Sequence, residues 1–256
     1  MTGQQLGERV GKGQSWVAKV ERGRLLPQVA DVEQWADATR APAVVKAALV
    51  EQVSALHTDA RSWRVHHRPS FRRRQQELRR IEAEATTMRL FQPNVVPGLL
   101  QTAEYARHVL QAEHFRIDNV ADAVAGRVER QTALYDESRR FHIVITEAAL
   151  RWRLCPTNAH LAQLDRIASL STLANVRIGI IPWSAELPPP PANMFLLLDK
   201  RMAMVETMTT LLTLTEQEVI EDYLRAFATL ESLALYDEDA RAVLARIADD
   251  LRRLGS

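Results

Sequence analysis

The sequence predicts a mainly helical N-terminal helix-turn-helix domain followed by an α+β domain, in which helices flank a small mixed sheet. Five of the nine glycines lie within the first 23 residues, between short amphipathic segments that are too short for anything but small helices. From residue 141 onward, short β-branched runs alternate with helical stretches. Charge also divides the chain: residues 1–80 hold 15 Lys/Arg against 8 Asp/Glu, and residues 81–256 hold 18 against 24.

Composition excludes several classes of protein. The single cysteine, Cys155, permits neither an internal disulfide nor a Cys-x-x-Cys zinc cluster, which favours a reducing cytoplasm. The N-terminus lacks the apolar run of a secretion signal, and no stretch of about 18 apolar residues offers a membrane span. We therefore expect a cytoplasmic protein that does not enter a membrane.

The N-terminal domain, residues 1–64, should contain four helices. They are predicted over Gly3–Val10, Gln14–Arg22, Val29–Ala41 and Ala43–Arg64. Thr2 is placed to cap the first helix, the glycines at 11 and 13 form a turn, and Gly23 ends the second helix. Residues 65–73 carry a proline among basic and imidazole side chains, so that residues 65–80 are interpreted as a hinge and a basic linker helix.

The second domain, residues 81–256, should be mixed. Helices are predicted over Gln75–Leu90, from Thr102, and over Val120–Leu134, Glu147–Leu154, Thr157–Thr172, Glu216–Glu231 and Glu238–Leu254. Strands are predicted over 141–146 and 176–182, as a hairpin of 194–199 and 203–207 around Lys200–Arg201, and over 211–215.

The second helix has the chemistry of a recognition helix. Gln14 and Ser15 begin it, and both side chains form hydrogen bonds with base edges. Lys19 and Arg22 lie farther along, where they suit guanine or phosphate. The basic residues that flank this helix, Lys12 and Arg24, are suited to backbone phosphates.

The segment GQSWVAKVERG (13–23) resembles the helix-turn-helix of the Xre, or lambda-repressor-like, family. The proline-then-helix continuation at 24–38 is similar as well. This resemblance implies that Gln14, Ser15, Trp16 and Lys19 face DNA. Two departures stand out. Trp16 replaces a polar residue that would set base preference. The family's preceding helix has no counterpart here, which predicts either a misassigned start or a truncated domain.

A second resemblance covers residues 80–250. Blocks such as VPGLLQTAEYAR (96–107), VITEAALRWRL (144–154) and NVRIGIIPW (175–183) are similar to a domain of unassigned biochemical function. That domain follows an Xre-type motif in many actinomycete regulators, some of which are antitoxin-like and act with a small partner protein. The resemblance implies transcription control, with a partner or ligand read by the second domain.

A pocket in the second domain is predicted from residues near strand ends and in the VPGLLQT block. The candidates are Leu99, Tyr105, Glu147, Arg151, Trp152 and Trp183. The alternative is structural: Leu99 and Tyr105 belong to the core, and a helix packs over the sheet edge. The Arg-rich run at 68–80 is either a solvated helix face or a phosphate contact.

No catalytic set is evident in the sequence. The seven histidines are scattered, a phosphate-binding glycine loop is missing, and Cys155 has no evident histidine partner. We therefore expect neither catalytic residues nor a metal or other cofactor.

Two functions remain open. The first is a homodimeric transcription regulator that reads double-stranded DNA with its N-terminal helices and senses a small cognate protein or a small-molecule effector with its second domain. The alternative is an antitoxin-like interaction protein that binds a small cognate polypeptide, with DNA binding weak or lost. An enzyme is a distant third.

Overall fold

The structure, a computed structural model, describes residues 2–23, 25, 27–59, 71–112, 117, 119–186, 193–207 and 211–254. The chain divides into two compact units, Met1–Trp63 and Arg64–Ser256. Residues 65–70 of the predicted hinge lie outside the described residues, as does Arg24. No described helix is both long enough and apolar enough to cross a membrane.

The first unit consists of four helices. They are α1 (Gly3–Arg9), α2 (Gln14–Glu21), α3 (Val29–Thr39) and α4 (Ala43–Asp59). Thr2 caps α1 as predicted: its hydroxyl accepts a hydrogen bond from the Gln5 backbone N–H at 3.2 Å, and the Gln5 side chain accepts one from the Thr2 N–H. Leu6, Val10 and Val17 form the small buried core between α1 and α2.

The turn between α1 and α2 requires a glycine at position 7. A Cβ atom there would lie 2.7 Å from the Lys12 carbonyl oxygen, closer than van der Waals contact allows. The Lys12 N–H donates to the Gly7 carbonyl at 2.8 Å, so the chain that enters α2 lies directly against α1. This contact sets the approach of the two helices.

The second unit is built on a six-stranded mixed sheet in the order β3-β2-β1-β4-β5-β6. Its strands are β1 (Thr87–Gln92), β2 (Arg140–Thr146), β3 (Val176–Ile181), β4 (Phe195–Leu198), β5 (Met202–Glu206) and β6 (Leu211–Leu214). The first three strands are parallel, and β4, β5 and β6 continue the sheet antiparallel from β1. The prediction of an α+β domain with a small mixed sheet is confirmed.

Helices cover both faces of this sheet. They are α5 (Phe71–Ala83), α6 (Ala103–Leu110), α7 (Val120–Arg130), α8 (Glu147–Arg151), α9 (Thr157–Leu170), α10 (Gln217–Ser232) and α11 (Asp237–Leu254). Phe91 and Val144 pack beneath α10 on one face. On the opposite face, Leu90 and Ile143 belong to a larger cluster that includes residues of α9 and α11.

The predicted helix over Gln75–Leu90 is wrong beyond Ala83. Its last four residues belong to β1, which pairs in parallel with β2 and antiparallel with β4. Leu78, Ile81, Ala85 and Met88 continue a helical spacing, which explains the error. Pairing on both sides of β1 satisfies its backbone hydrogen bonds and overrides that local pattern.

Buried glutamine side chains hold the VPGLLQT loop that follows β1. Gln131 Nε2 donates to the carbonyls of Gly98 (2.9 Å) and Gln101 (2.8 Å). Gln163 Nε2 donates to the Leu100 carbonyl at 2.9 Å, and its Oε1 accepts from the Thr102 N–H at 2.7 Å. The loop is therefore part of the structural core, with its backbone groups satisfied by side chains.

Asp199 fastens the β4–β5 hairpin to the start of β1. Its Oδ1 accepts from the Thr86 N–H (3.1 Å), the Thr86 hydroxyl (3.0 Å) and the Thr87 N–H (2.8 Å). Burial raises the pKa of Asp199, but these hydrogen bonds outweigh burial and lower the pKa below its ordinary value.

Replacing Gln131 by Met should destabilise the second unit by about 2–3 kcal/mol, because two buried carbonyls lose their donor while the volume is kept. Urea denaturation measures the change. The control is Gln217→Met, at an exposed position of α10, which should change the free energy of unfolding by less than about 0.5 kcal/mol. Equal effects of the two substitutions would contradict the assigned role of the loop.

Asp199→Asn should cost about 1 kcal/mol at pH 7, since the amide oxygen accepts the same hydrogen bonds without charge. Because folding lowers the Asp199 pKa, its contribution is complete above the unfolded pKa of about 4 and is lost as pH falls through the folded value. The difference in unfolding free energy from wild type should thus be constant from pH 5 to 7 and shrink at lower pH. Asp165→Asn, at an exposed site on α9, is the matched control; a gap that widens in acid would refute the assignment.

Candidate functional site

Helix α2 presents a polar stripe to solvent. Ser15, Lys19 and Arg22 follow one another at i, i+4 and i+7, so they lie on one side of the helix axis. All three are exposed, whereas Val17, on the opposite side of α2, is fully buried. Gln14 is exposed at the first turn beside this stripe. The structure therefore brings Ser15, Lys19 and Arg22 together on one accessible surface, with Gln14 exposed about a quarter turn away at the start of α2.

The basic residues of this stripe are available to a ligand. Lys19 and Arg22 form no ion pair with any residue that the structure describes. The Lys19 ammonium group and the Arg22 guanidinium group therefore carry positive charge that no described acidic side chain pairs with. A phosphate oxygen brought to this surface would meet two cations that lose no existing partner when they bind it.

Lys12 differs from the other predicted phosphate contacts. Its Nζ lies 3.0 Å from Asp31 Oδ1 and 5.4 Å from the centre of the Trp16 ring. The other oxygen of Asp31 accepts from the Gln28 N–H at 3.0 Å, at the start of α3. Burial raises the pKa of Asp31, but the hydrogen bonds from Lys12 and Gln28 more than offset it and lower that pKa. Lys12 thus ties the turn before α2 to α3.

Trp16 is only partly available to a ligand. Its ring is half-buried against the core of the first unit and lies 5.9 Å from the Trp35 ring, tilted by 47°. An aromatic side chain at this position therefore packs α2 against α3. This explains structurally why an apolar residue stands where the resemblance leads one to expect a polar one.

The residues predicted to line a pocket in the second unit separate into two groups. Leu99 is 3 % exposed and Tyr105 is fully buried, and both belong to the main core, as the structural alternative held. The other four residues lie where β2 and β3 end. Glu147 and Arg151 begin and end α8, Trp152 follows α8, and Trp183 follows β3. The structure does not unite the six residues into one site.

A buried carboxylate organises the second group. Glu147 is 4 % exposed; its Oε2 accepts from the Trp183 N–H at 2.9 Å, and its Oε1 accepts from Arg151 Nε at 2.7 Å. Arg151 also donates to Asp250 Oδ2 at 2.9 Å. Trp152 and Trp183 are 60 % and 67 % exposed. Glu147 and Arg151 are therefore structural groups at the end of the sheet that also carries the two exposed tryptophans.

The sequence did not reveal the two aspartates that hold Lys12 and Arg151 in place. Asp31 and Asp250 each bind a cation that is distant in sequence, Lys12 and Arg151 respectively. The i, i+4 spacing of Glu147 and Arg151 was a usable signal for their pair, whereas nothing local marks Asp31 or Asp250.

The remaining candidates for chemistry offer little. Burial raises the pKa of the Cys155 thiol to about 11, so the reactive thiolate is scarce at neutral pH. Among the residues that the structure describes, no three His, Cys, Asp or Glu side chains are grouped to hold a metal ion.

Comparison with known families agrees with the division into two parts. A family model described as a helix-turn-helix domain matches residues 1–49, and so confirms the predicted motif; the more specific Xre assignment stays a prediction. No curated protein matches the chain. A second family model, described as a domain of unknown function (DUF5753), matches residues 75–246. This match spans more than half of the chain, which therefore belongs to the DUF5753 family.

Proposed function

We propose that this protein is a transcription regulator of the Xre type, which binds double-stranded DNA through α2 and responds to an effector through its second unit. The observation that carries the proposal is the exposed stripe of Ser15, Lys19 and Arg22 with Gln14 beside it, inside a matched helix-turn-helix domain. These residue types read bases and bind phosphates from a major groove. The proposal includes a cytoplasmic location and an actinomycete source.

The proposed role is binding rather than catalysis. Two observations support this part of the proposal: burial disfavours the thiolate of Cys155, and structural hydrogen bonds already engage Glu147 and Arg151. No cofactor is required for the proposed role.

Two copies of the chain would bind DNA together. Helix α4 exposes Val44 (81 %), Val45 (45 %) and Leu49 (41 %), and the last two share one helix face at i and i+4. Exposed aliphatic side chains grouped on one helix favour burial against another chain. A second copy is the fitting occupant, since paired half-sites one helical turn apart give regulators of this kind their specificity.

A second candidate function is an antitoxin-like interaction protein that binds a small cognate polypeptide. The exposed indoles of Trp152 and Trp183 favour it, because tryptophan is enriched among the residues that dominate binding energy at protein interfaces. The DNA experiment below separates the two candidates: this second function gains if the full chain shows no preference for its own promoter.

Lys19→Ala and Arg22→Ala should each weaken binding to the protein's own promoter and reduce the slope of log K against log salt by about one. Gln14→Ala should instead reduce the preference for the promoter over random DNA, because the substitution removes a base contact. Fluorescence anisotropy over a salt series measures all three.

The matched control is Lys46→Ala. It removes one positive charge from the same unit, but Lys46 already pairs with Asp37 at 2.7 Å. If this control lowers the salt slope as much as Lys19→Ala does, the effect is one of net charge, and α2 is not the DNA-binding helix.

The double substitution Val45→Glu/Leu49→Glu should convert a dimer into a monomer, because two carboxylates would be buried at the proposed contact. Sedimentation equilibrium measures the mass. The control, Val128→Glu, changes a side chain of similar exposure (42 %) in the second unit and should leave the dimer intact. A dimer that survives the double substitution places the contact elsewhere.

A further inference from the structure

Three neighbouring strands place basic side chains in one row across the sheet. Arg89 of β1 is directly opposite His142 of β2, which in turn is opposite Arg177 of β3. Residues opposite one another point to the same face, and adjacent strands are about 4.8 Å apart. The row therefore spans about 10 Å. Arg140 precedes His142 by two residues and so projects from the same face.

This row borders a pocket of about 290 Å³ at the amino ends of the three parallel strands. Its lining consists of Thr87, Arg89, Arg140, Phe141, His142, Ala174, Asn175 and Arg177. The pocket is at the opposite end of the parallel strands from Glu147 and the exposed indoles. The predicted residues Glu147, Arg151, Trp152 and Trp183 therefore form no part of this pocket.

Aromatic packing fixes one side of the pocket. Tyr236 lies over β3 because position 179 is glycine: a Cβ atom there would lie 2.6 Å from the tyrosine ring. The Tyr236 hydroxyl is 2.9 Å from His142 Nε2, and the Arg177 guanidinium stacks 4.0 Å from the centre of the Tyr236 ring. His142 also contacts the Phe227 ring edge-on. The imidazole and one guanidinium are thus held in position before any ligand arrives.

The charge of the pocket is strongly positive. Three guanidinium groups line it, and among the residues that the structure describes that of Arg177 alone has an acidic partner, Glu231 Oε1 at 2.8 Å. Arg89 and Arg140 form no ion pair with a residue that the structure describes. Burial lowers the pKa of His142 to about 4 against the opposing effect of Glu231, so the imidazole is neutral at pH 7. The lining thus carries three positive charges, and Glu231, which lies outside the lining, offsets one of them.

We propose that this pocket binds the compact dianionic group of a small molecule, either a phosphate monoester or a pair of carboxylates. The guanidinium fork forms two parallel hydrogen bonds with either group, and two unpaired arginines match a charge of minus two. The volume accommodates a small metabolite but little more. That this ligand is the effector of a regulator rests on the proposed function; that it binds does not.

A small ligand suits the site better than the DNA backbone does. His142 is half-buried beside Arg89, and the Phe227 and Tyr236 rings pack against its imidazole. Each phosphodiester of a DNA duplex carries one negative charge and lies on the convex outer surface of the duplex. The basic groups of this pocket instead surround a recess. Binding of DNA here is tested separately, by measuring the promoter affinity of the Arg89→Gln/Arg140→Gln variant by fluorescence anisotropy.

Calorimetric titration of the full chain at constant ionic strength, without DNA, tests the proposal with inorganic phosphate, malonate and formate as probes. Phosphate or malonate should bind with a Kd on the order of 1 mM or below, and the monoanion formate should bind at least tenfold more weakly. Phosphate binding ahead of malonate identifies the monoester class, and the reverse identifies the dicarboxylate class. NMR of the His142 imidazole should report binding of the preferred probe as a shift in its resonances.

The double variant Arg89→Gln/Arg140→Gln should weaken binding of the preferred probe by about a hundredfold, roughly tenfold for each charge-assisted contact. The control Arg225→Gln/Arg252→Gln removes two exposed arginines that form i, i+3 pairs on α10 and α11, and it should bind the probe as wild type does.

Three results would overturn the proposal: neither dianion binds, the control loses as much affinity as the double variant, or the double variant loses DNA affinity while retaining the dianion. Because the titrations contain no DNA, failure of α2 to bind an operator would leave their outcome unaffected. The two proposals can therefore fail separately.

Discussion

Strand β1 is the constraint on which the second unit depends. It pairs with β2 in parallel on one side and with β4 antiparallel on the other, so it joins the parallel and antiparallel halves of the sheet. Asp199 fixes its start, and buried glutamines fix the loop at its end. Its side chains pack under helices on both faces of the sheet, Phe91 beneath α10 and Leu90 in the cluster with α9 and α11.

The same strand shows where sequence reasoning stops. The short helices of the first unit followed from local signals, such as the Thr2 cap and the turn before α2, because their determinants lie within a few residues. The identity of β1 depends on partners about 50 and 110 residues away. Because the helical spacing runs through the first four residues of β1, the sequence does not reveal the alignment of Arg89 with His142 and Arg177.

The candidate sites divide in the same way. The exposed residues of α2 were predictable, because helical spacing alone sets them opposite Val17. The burial of Leu99 and Tyr105 was foreseeable only as an alternative, since an apolar side chain serves a core and a pocket equally well. The roles of Asp31 and Asp250 were invisible, because each carboxylate meets its cation only after the helices have packed.

The segment between α10 and α11 has one more effect. Leu235 exchanges two backbone hydrogen bonds with Ile180 of β3, with N···O distances of 2.9 and 2.8 Å. An edge strand with free amides is a template on which strands of other molecules can add. The short bridge occupies these groups near the carboxyl end of β3, so another chain cannot extend the sheet there. The end of β3 that leads to Trp183 is thereby closed to strand addition by another molecule.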